Sequence, residues 1–411
     1  MSKIILIAGY TKLANIRKIR SYFPGEDITL ACAYARAPET EAKQKNLALF
    51  DVLYDLTLPE DVQRLQDDAD SVAAITCTQE RDMPAYIQAQ LLCGKITDTQ
   101  AQLYKESIDK RLFKEGMSQT HPELVPQTHL VDEELLSKLD TLSYPLVIKP
   151  SGLAGSIMIR VVHSPEEFLT HYQTFAPQMH EIAQKHYLAD ISVIAESYIE
   201  GPQYSVNVYI NAEGAPTFCP LVRVVTPQEL GGTDTYSVYQ YTTDEVTDAQ
   251  LTDLKQSVAK VIARFELKDT SAHFDSVYSN GQWKFFEVGL RIGGNRQKLF
   301  EYSHGMDHFG NDVKNKVGKA IEIPELKKSV CVMQKASTEE GVLQSISYTR
   351  KVTAEHAPMI TEDKMAKIGK DVMQVSQGGG TVTRHYIVGK EHQEVVDTSK
   401  ELFEAITFEV I

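Results

Sequence analysis

Asp275, Glu287 and Arg291 lie in the segment HFDSVYSNGQWKFFEVGLRIGGN, residues 273–295, and their types and spacing suit metal–phosphate chemistry. Two apolar, β-prone runs flank Asn280-Gly281, a dipeptide that favours the tight turn of a hairpin. Asp275 falls on the first run and Glu287 on the second, so a hairpin brings both carboxylates to one place. Two carboxylates can hold a small hard cation, which takes oxygen ligands and usually shares phosphate oxygens with a substrate. Arg291 and the pair Gly293-Gly294 follow directly, so a forked donor stands close to any anion on that cation. The pattern predicts half of a nucleotide site.

The other half must supply cations for the phosphates. Lys149 closes the run YPLVIK and precedes a small-residue loop with Gly152, Ala154, Gly155 and Ser156. An ammonium at the mouth of such a loop suits phosphate, because small residues let backbone N–H groups approach the oxygens. The loop is not a Walker A sequence, and taken alone it fits a plain hairpin with an exposed lysine equally well. No G-x-G-x-x-G follows the first strand, so a dinucleotide site has no support.

The elements that must position these residues change character along the chain. Residues 3–8, 28–33 and 71–77 are apolar, β-branched runs separated by helical stretches such as 40–49, which predicts a parallel α/β unit. Helices are expected at 84–92 and 99–117. From Tyr144 the texture becomes β-rich, with a helix from 165 to about 185, paired strands around Glu200-Gly201-Pro202, and an amphipathic helix at 248–265. After 322 short strands and turns resume, and Gly378–Gly380 reads as a turn. The chain has 411 residues, 42% hydrophobic and 24% charged, as in ordinary globular proteins. Its net charge of −14 argues against nucleic acid or an anionic membrane as the main partner. No segment reaches the ~20 apolar residues of a membrane span. Five scattered cysteines without metal spacing read as reduced, buried thiols, and a cytoplasmic location is expected.

In order and spacing, Asp109-Lys110, YPLVIKP with its loop, ESYIEG and FFEVGLRIGG together resemble the ATP-grasp superfamily over about residues 80–300. The tail, with Gly341-Val-Leu, resembles the branch of carboxylate–amine ligases that includes L-amino-acid ligases and carnosine-synthase-like enzymes. The resemblance implies an ATP-grasp fold of α/β and α+β parts, with an N-terminal parallel α/β domain at 1–97. It places a small lobe with linker helices at 98–200, a large lobe carrying the metal and phosphate site at 201–322, and a C-terminal β-rich lobe at 323–411. ATP and Mg²⁺, with Mn²⁺ as an alternative, are the implied cofactors. Lys110, Lys149, Gly152, Gly155 and Ser156 would meet the phosphates, with the loop as a lid.

Glu196, Ser197, Tyr198 and Ile199 would line the adenine, Glu196 and backbone groups reading its amino group, and Gln203 stands at the ribose position, where many members have Glu. Asp275 and Glu287 match the metal ligands. Gly289 stands where many members have Asn, so that ligand is lost or replaced by water or Asn295. Arg291 is the implied catalytic group, holding an acyl phosphate and the oxyanion after it; His273, Gly294 and Asn295, with Arg291, face the substrate. The implied activity is ADP-forming ligation of a small-molecule carboxylate, most economically an amino acid, to an amine, with dimers common among such proteins. An ATP-dependent carboxylase and a non-catalytic ATP-binding module are the other classes. Residue by residue, blander roles compete: His273 as a hydrogen-bonded core histidine, Lys105 as a surface lysine, and Tyr236, Tyr239 and Tyr241 as packing. His304 is a further pocket candidate.

Overall fold

The structure is a computed structural model, and it describes residues 2–38, 40–152, 158–179, 191–232, 236–349, 359–374 and 380–411. The chain opens with four parallel strands, β1 (Lys3–Ala8), β2 (Ile28–Tyr34), β3 (Val52–Asp55) and β4 (Val72–Thr76), in the order β3-β2-β1-β4. A continuous apolar run in β1 demands cover on both faces. Leu6 and Ala8 pack with Tyr86 and Ile87 of the Met83–Leu92 helix, while Ile5 and Ile7 join a core with Phe300, Phe309 and Val313. The α/β unit therefore shares both of its cores with later parts of the chain.

Next comes an antiparallel sheet of β5 (Thr128–Leu130), β6 (Leu146–Pro150), β7 (Arg160–Val162) and β8 (Val193–Ser197), ordered β5-β8-β6-β7. The Pro165–Phe175 helix covers it through Phe168, which packs on Ile148, Val162 and Ala195. The large sheet follows: β9 (Gln203–Ile210), β10 (Pro216–Phe218), β11 (Val222–Val225), β12 (Tyr239–Thr242), β13 (Thr270–Ser279) and β14 (Gln282–Gly289). C-terminal strands are β15 (Ser329–Ala336), β16 (Gly341–Tyr348), β17 (Met359–Met365), β18 (Asp371–Val372), β19 (Thr381–Gly389) and β20 (Ile406–Val410). Three of them extend the large sheet, which runs β14-β13-β9-β11-β12-β15-β19-β17 with β10 on β9, while β18-β16-β20 stand apart. The seam is a regular ladder in which Tyr239, Gln240 and Tyr241 face Met333, Val332 and Cys331.

Two helical expectations change. The single helix read at 99–117 is two, Asp98–Ile108 and Lys110–Ser118. Asp109 leaves helical geometry to cap the second, its carboxylate accepting from the N–H groups of Arg111 and Leu112. The strand at 359–365 carries no apolar alternation and was not expected; backbone pairing to β19 makes it. The helix expected to about 185 runs to Phe175 and tightens into a 3-10 turn over Ala176–Gln178, and residues 180–185, like Gly155, Ser156 and most of the glycine run at 378–380, lie outside the described residues. All five cysteines are buried and free. Among the described residues no helix is long and apolar enough to cross a membrane.

Candidate active site

The hairpin forms as its sequence requires. Asn280 and Gly281 take positive φ, 51° and 79°, and set the register that places Asp275 directly opposite Glu287. Between Asp275 and Ser276 the register shifts, because Glu287 faces Asp275 but Phe285 faces Ser276. Phe286 is the extra residue of this bulge, and it lines the cleft beside Glu287 where a regular strand would send it to the opposite face. Its ring lies 5.7 Å from Lys149 Nζ, and its carbonyl accepts from Lys114 Nζ at 2.9 Å.

The cleft, about 400 Å³, opens between the antiparallel sheet and the large sheet. Of the residues expected from the sequence, Lys110, Lys149, Glu196, Ser197, Tyr198, Ile199, Gln203, His273, Asp275, Glu287, Arg291, Gly294 and Asn295 all line it. Gly152 is described and does not line it. Lys110 starts its helix at the cap, and its N–H donates to the Ser151 carbonyl at 3.0 Å, tying that helix to the end of β6. Its Nζ lies 3.4 Å from Glu287 Oε2. Burial alone would raise the Glu287 carboxyl; the Lys110 ammonium reverses this and holds it below the usual carboxylate range.

Glu196 lines the cleft and also has a structural role. Its carboxylate is buried between two ammoniums, bonded to Lys149 through Oε1 and 3.0 Å from Lys114 through Oε2. Tyr198 and Ile199 bring the chain along the same wall. Burial would raise the Glu196 carboxyl too, and Lys114 and Lys149 hold it low instead.

Lys114 is the partner that sequence reading missed. One helical turn after Lys110, it is fully buried, donates to the Lys110 carbonyl at 3.1 Å, and completes the Lys149–Glu196 group. The only signal was its spacing from Lys110 on one helix face. Burial pulls its ammonium down to about 7, against the opposing pull of Glu196. The unfolded chain keeps this proton to higher pH, near the ordinary lysine value of ~10.4. Lys114 therefore makes stability rise with pH above about 7. In urea unfolding at pH 7, 8 and 9, the rise should be steeper in wild type than in Lys114→Met; identical slopes would refute it.

Arg291 donates through Nε to Glu80 Oε2 at 2.8 Å and through Nη1 to the Ile292 carbonyl at 2.9 Å. Glu80 comes from the turn after β4, so the N-terminal unit reaches the cleft at its arginine. His273 is buried, lines the cleft and bonds the Arg291 carbonyl through Nδ1 at 3.1 Å. Its ring lies over Gly289, where a Cβ would fall 2.1 Å from Cε1. The imidazole thus fills the space that a side chain at 289 would take. Gly289→Ala should destabilise the fold by about 1–3 kcal/mol, and Gly289→Ala with His273→Ala should recover most of that in urea unfolding; additive losses would contradict the packing.

His304 lies outside the cleft, bonded to Ser303 Oγ through Nδ1 at 2.7 Å. Tyr239 and Tyr241 are packing residues of β12. Among the described residues no group of three or more His, Cys, Asp or Glu could hold a metal. Asp275 and Glu287 are two facing carboxylates, and Mg²⁺ is usually bound by one or two carboxylates with substrate oxygens and water.

A model of the ATP-grasp domain matches residues 142–298, the span from β6 to past Arg296. No curated protein sequence matches the chain. Among solved structures, L-amino acid ligase from Bacillus licheniformis is similar at a TM-score of 0.78 and 14% identity, covering 100% of this chain and 99% of that one. N5-carboxyaminoimidazole ribonucleotide synthetase from Thermotoga maritima gives 0.67 at 12%, with 100% of both chains covered. The biotin carboxylase domain of Hydrogenobacter thermophilus 2-oxoglutarate carboxylase, solved with MgADP and bicarbonate, gives 0.64 at 16%, covering 100% and 91%. At these identities the structures speak for the fold, and the domain model speaks for the segment that carries the cleft. The chain contains an ATP-grasp domain and has the ATP-grasp fold, with a parallel α/β unit before that domain and a β-rich remainder after it.

Proposed function

We propose that this protein is an ATP-dependent, ADP-forming ligase that joins a carboxylate, most economically that of an amino acid, to an amine through an acyl phosphate. The observation that carries this reading is the Asp275–Glu287 pair facing Lys110, Lys149 and Arg291 in one cleft. A structural neighbour named as an L-amino acid ligase supports the choice of amino acid.

Val147, Val161, Tyr198 and Ile199 give the nucleotide base an apolar wall, with Gln203 at the ribose. Lys149 and Lys110 bind phosphate oxygens, and Glu196 with Lys114 fixes Lys149 in place. Asp275 and Glu287 would hold Mg²⁺ or Mn²⁺, which would supply positive charge against the transferred phosphoryl group. Arg291 aligns the substrate carboxylate for attack on the γ-phosphorus. Its forked donors then stabilise the oxyanion that forms when the amine adds to the acyl carbonyl. Phosphate leaves, and the amide and ADP remain.

The test supplies ATP, Mg²⁺, single amino acids and hydroxylamine as the trapping amine. Amino-acid-dependent hydroxamate, formed in equal amount with ADP, is the expected result. AMP and pyrophosphate as products, or ADP formation that needs bicarbonate and yields no hydroxamate, would overturn the reading.

A further inference from the structure

Arg296 has no task in that scheme, yet it lines the same cleft. Its side chain is only 7% exposed. Nη1 donates to Gln240 Oε1, a neutral acceptor, and Nε–H is buried with no hydrogen-bond partner among the described residues. The charge of Asp275 acts on it, but no hydrogen bond joins the two among the described residues. Burying a guanidinium with so little compensation costs several kcal/mol.

A second orphan lies beside it. Asn207, on β9, is 1% exposed, and its Nδ2 has no partner among the described residues. Its Oδ1 accepts from Gly293 N–H at 2.8 Å and faces His308 Nε2 at 3.4 Å. Burial drives His308 down to about 3, so the ring is neutral with one proton. The Tyr209 hydroxyl bonds Nδ1 and the His308 carbonyl, while the Gly293 N–H, which can only donate, fixes Oδ1 as the acceptor of the Asn207 amide. The Asn207 amide is therefore oriented with its donors free. Both orphans flank Gly293, where a Cβ would lie 2.8 Å from Arg296 Cγ and 3.5 Å from Asn207 Nδ2. Above them starts the helix Arg296–His304, whose cap residue Asn295 makes no side-chain capping bond. Uncapped first-turn N–H groups add a further attraction for an anion.

We propose that Arg296 and the start of this helix, with Asn207 behind Gly293 holding that glycine in place, form a carboxylate subsite for the amine-bearing substrate. The acceptor is then an amino acid or a peptide, bound through a carboxylate that the reaction leaves untouched. This inference rests on the ligase reading. The carboxylate being activated must meet Arg291 and the metal carboxylates, so a permanent anion site beside Gln240 and Ser237 serves the other substrate.

The experiment compares each amino acid with its amide as acceptor, in wild type, Arg296→Gln and Arg296→Lys. A charged hydrogen-bonded contact of ~1.5–3 kcal/mol corresponds to a preference of roughly 10- to 100-fold in kcat/KM for acid over amide. Arg296→Gln should erase that preference and Arg296→Lys should keep part of it. Wild type that uses amides as well as acids, or a glutamine variant that slows both equally, would overturn the subsite. A second readout needs no turnover: with MgADP present, free acids but not amides should raise the thermal midpoint of wild type, and neither should raise that of Arg296→Gln. Stabilisation by inorganic phosphate without any by carboxylates would also overturn it. Failure to form hydroxamate sinks the ligase reading, whereas failure of the acid-over-amide difference sinks this inference alone.

Discussion

Replacing Glu287 by Gln should lower ADP formation by on the order of 10³-fold, the several kcal/mol that a bound divalent cation contributes to phosphoryl transfer. The side chain keeps its size and its place opposite Asp275, so the hairpin register survives. What is lost is the charge that the proposed cation would meet and that Lys110 stabilises from 3.4 Å. Glu287→Asp, which restores the charge one methylene short, should recover part of the rate. Raising Mg²⁺ should help Glu287→Gln, because a weakened site fills by mass action. Near-normal turnover in Glu287→Gln, with an unchanged unfolding midpoint, would remove Glu287 from the metal site and with it the main support for the proposed chemistry.

The second large effect is on stability. Glu196→Gln should destabilise the fold by about 3–5 kcal/mol, because it leaves two buried ammoniums without their shared carboxylate. The loss is limited by an escape: Lys114, already pulled down to about 7, can give up its proton. The deficit should therefore shrink as pH rises from 7 to 9. Urea unfolding across that range measures both the size and the trend. A deficit under 1 kcal/mol would show that the Lys149–Glu196–Lys114 group is not a unit.

The Asp275–Glu287 end of the cleft was legible because local rules fix it. An Asn-Gly turn sets a hairpin, the hairpin sets a register, and the register pairs Asp275 with Glu287. Lys149 was readable for a similar reason, standing at the end of a buried strand before a loop of small residues. The parallel strands announced themselves through apolar runs that need cover on both faces. What stayed hidden depends on partners far away in sequence. Lys114 looks like any lysine on an amphipathic helix until Glu196 closes over it. Glu80 and Arg291 meet across the N-terminal unit and the hairpin, and no spacing announces that contact. Arg296 became notable only when its neighbours proved unable to satisfy it. The bulge that turns Phe286 toward Lys149 is also silent, since one extra residue in a strand leaves no mark on composition. Asp109 misled the reading of the helix because helical periodicity continued across the cap.

The ladder between β12 and β15 sets how the chain can be divided. Gln240 pairs its backbone with Val332, while its side chain holds Arg296 at the cleft. A cut made between the hairpin and β15 would therefore open a hydrogen-bonding edge in the middle of the large sheet and loosen the floor beneath the guanidinium. Nucleotide handling and the C-terminal segment are thus not exchangeable cassettes: a segment grafted from a relative must bring its own matching edge before it can alter what the cleft accepts.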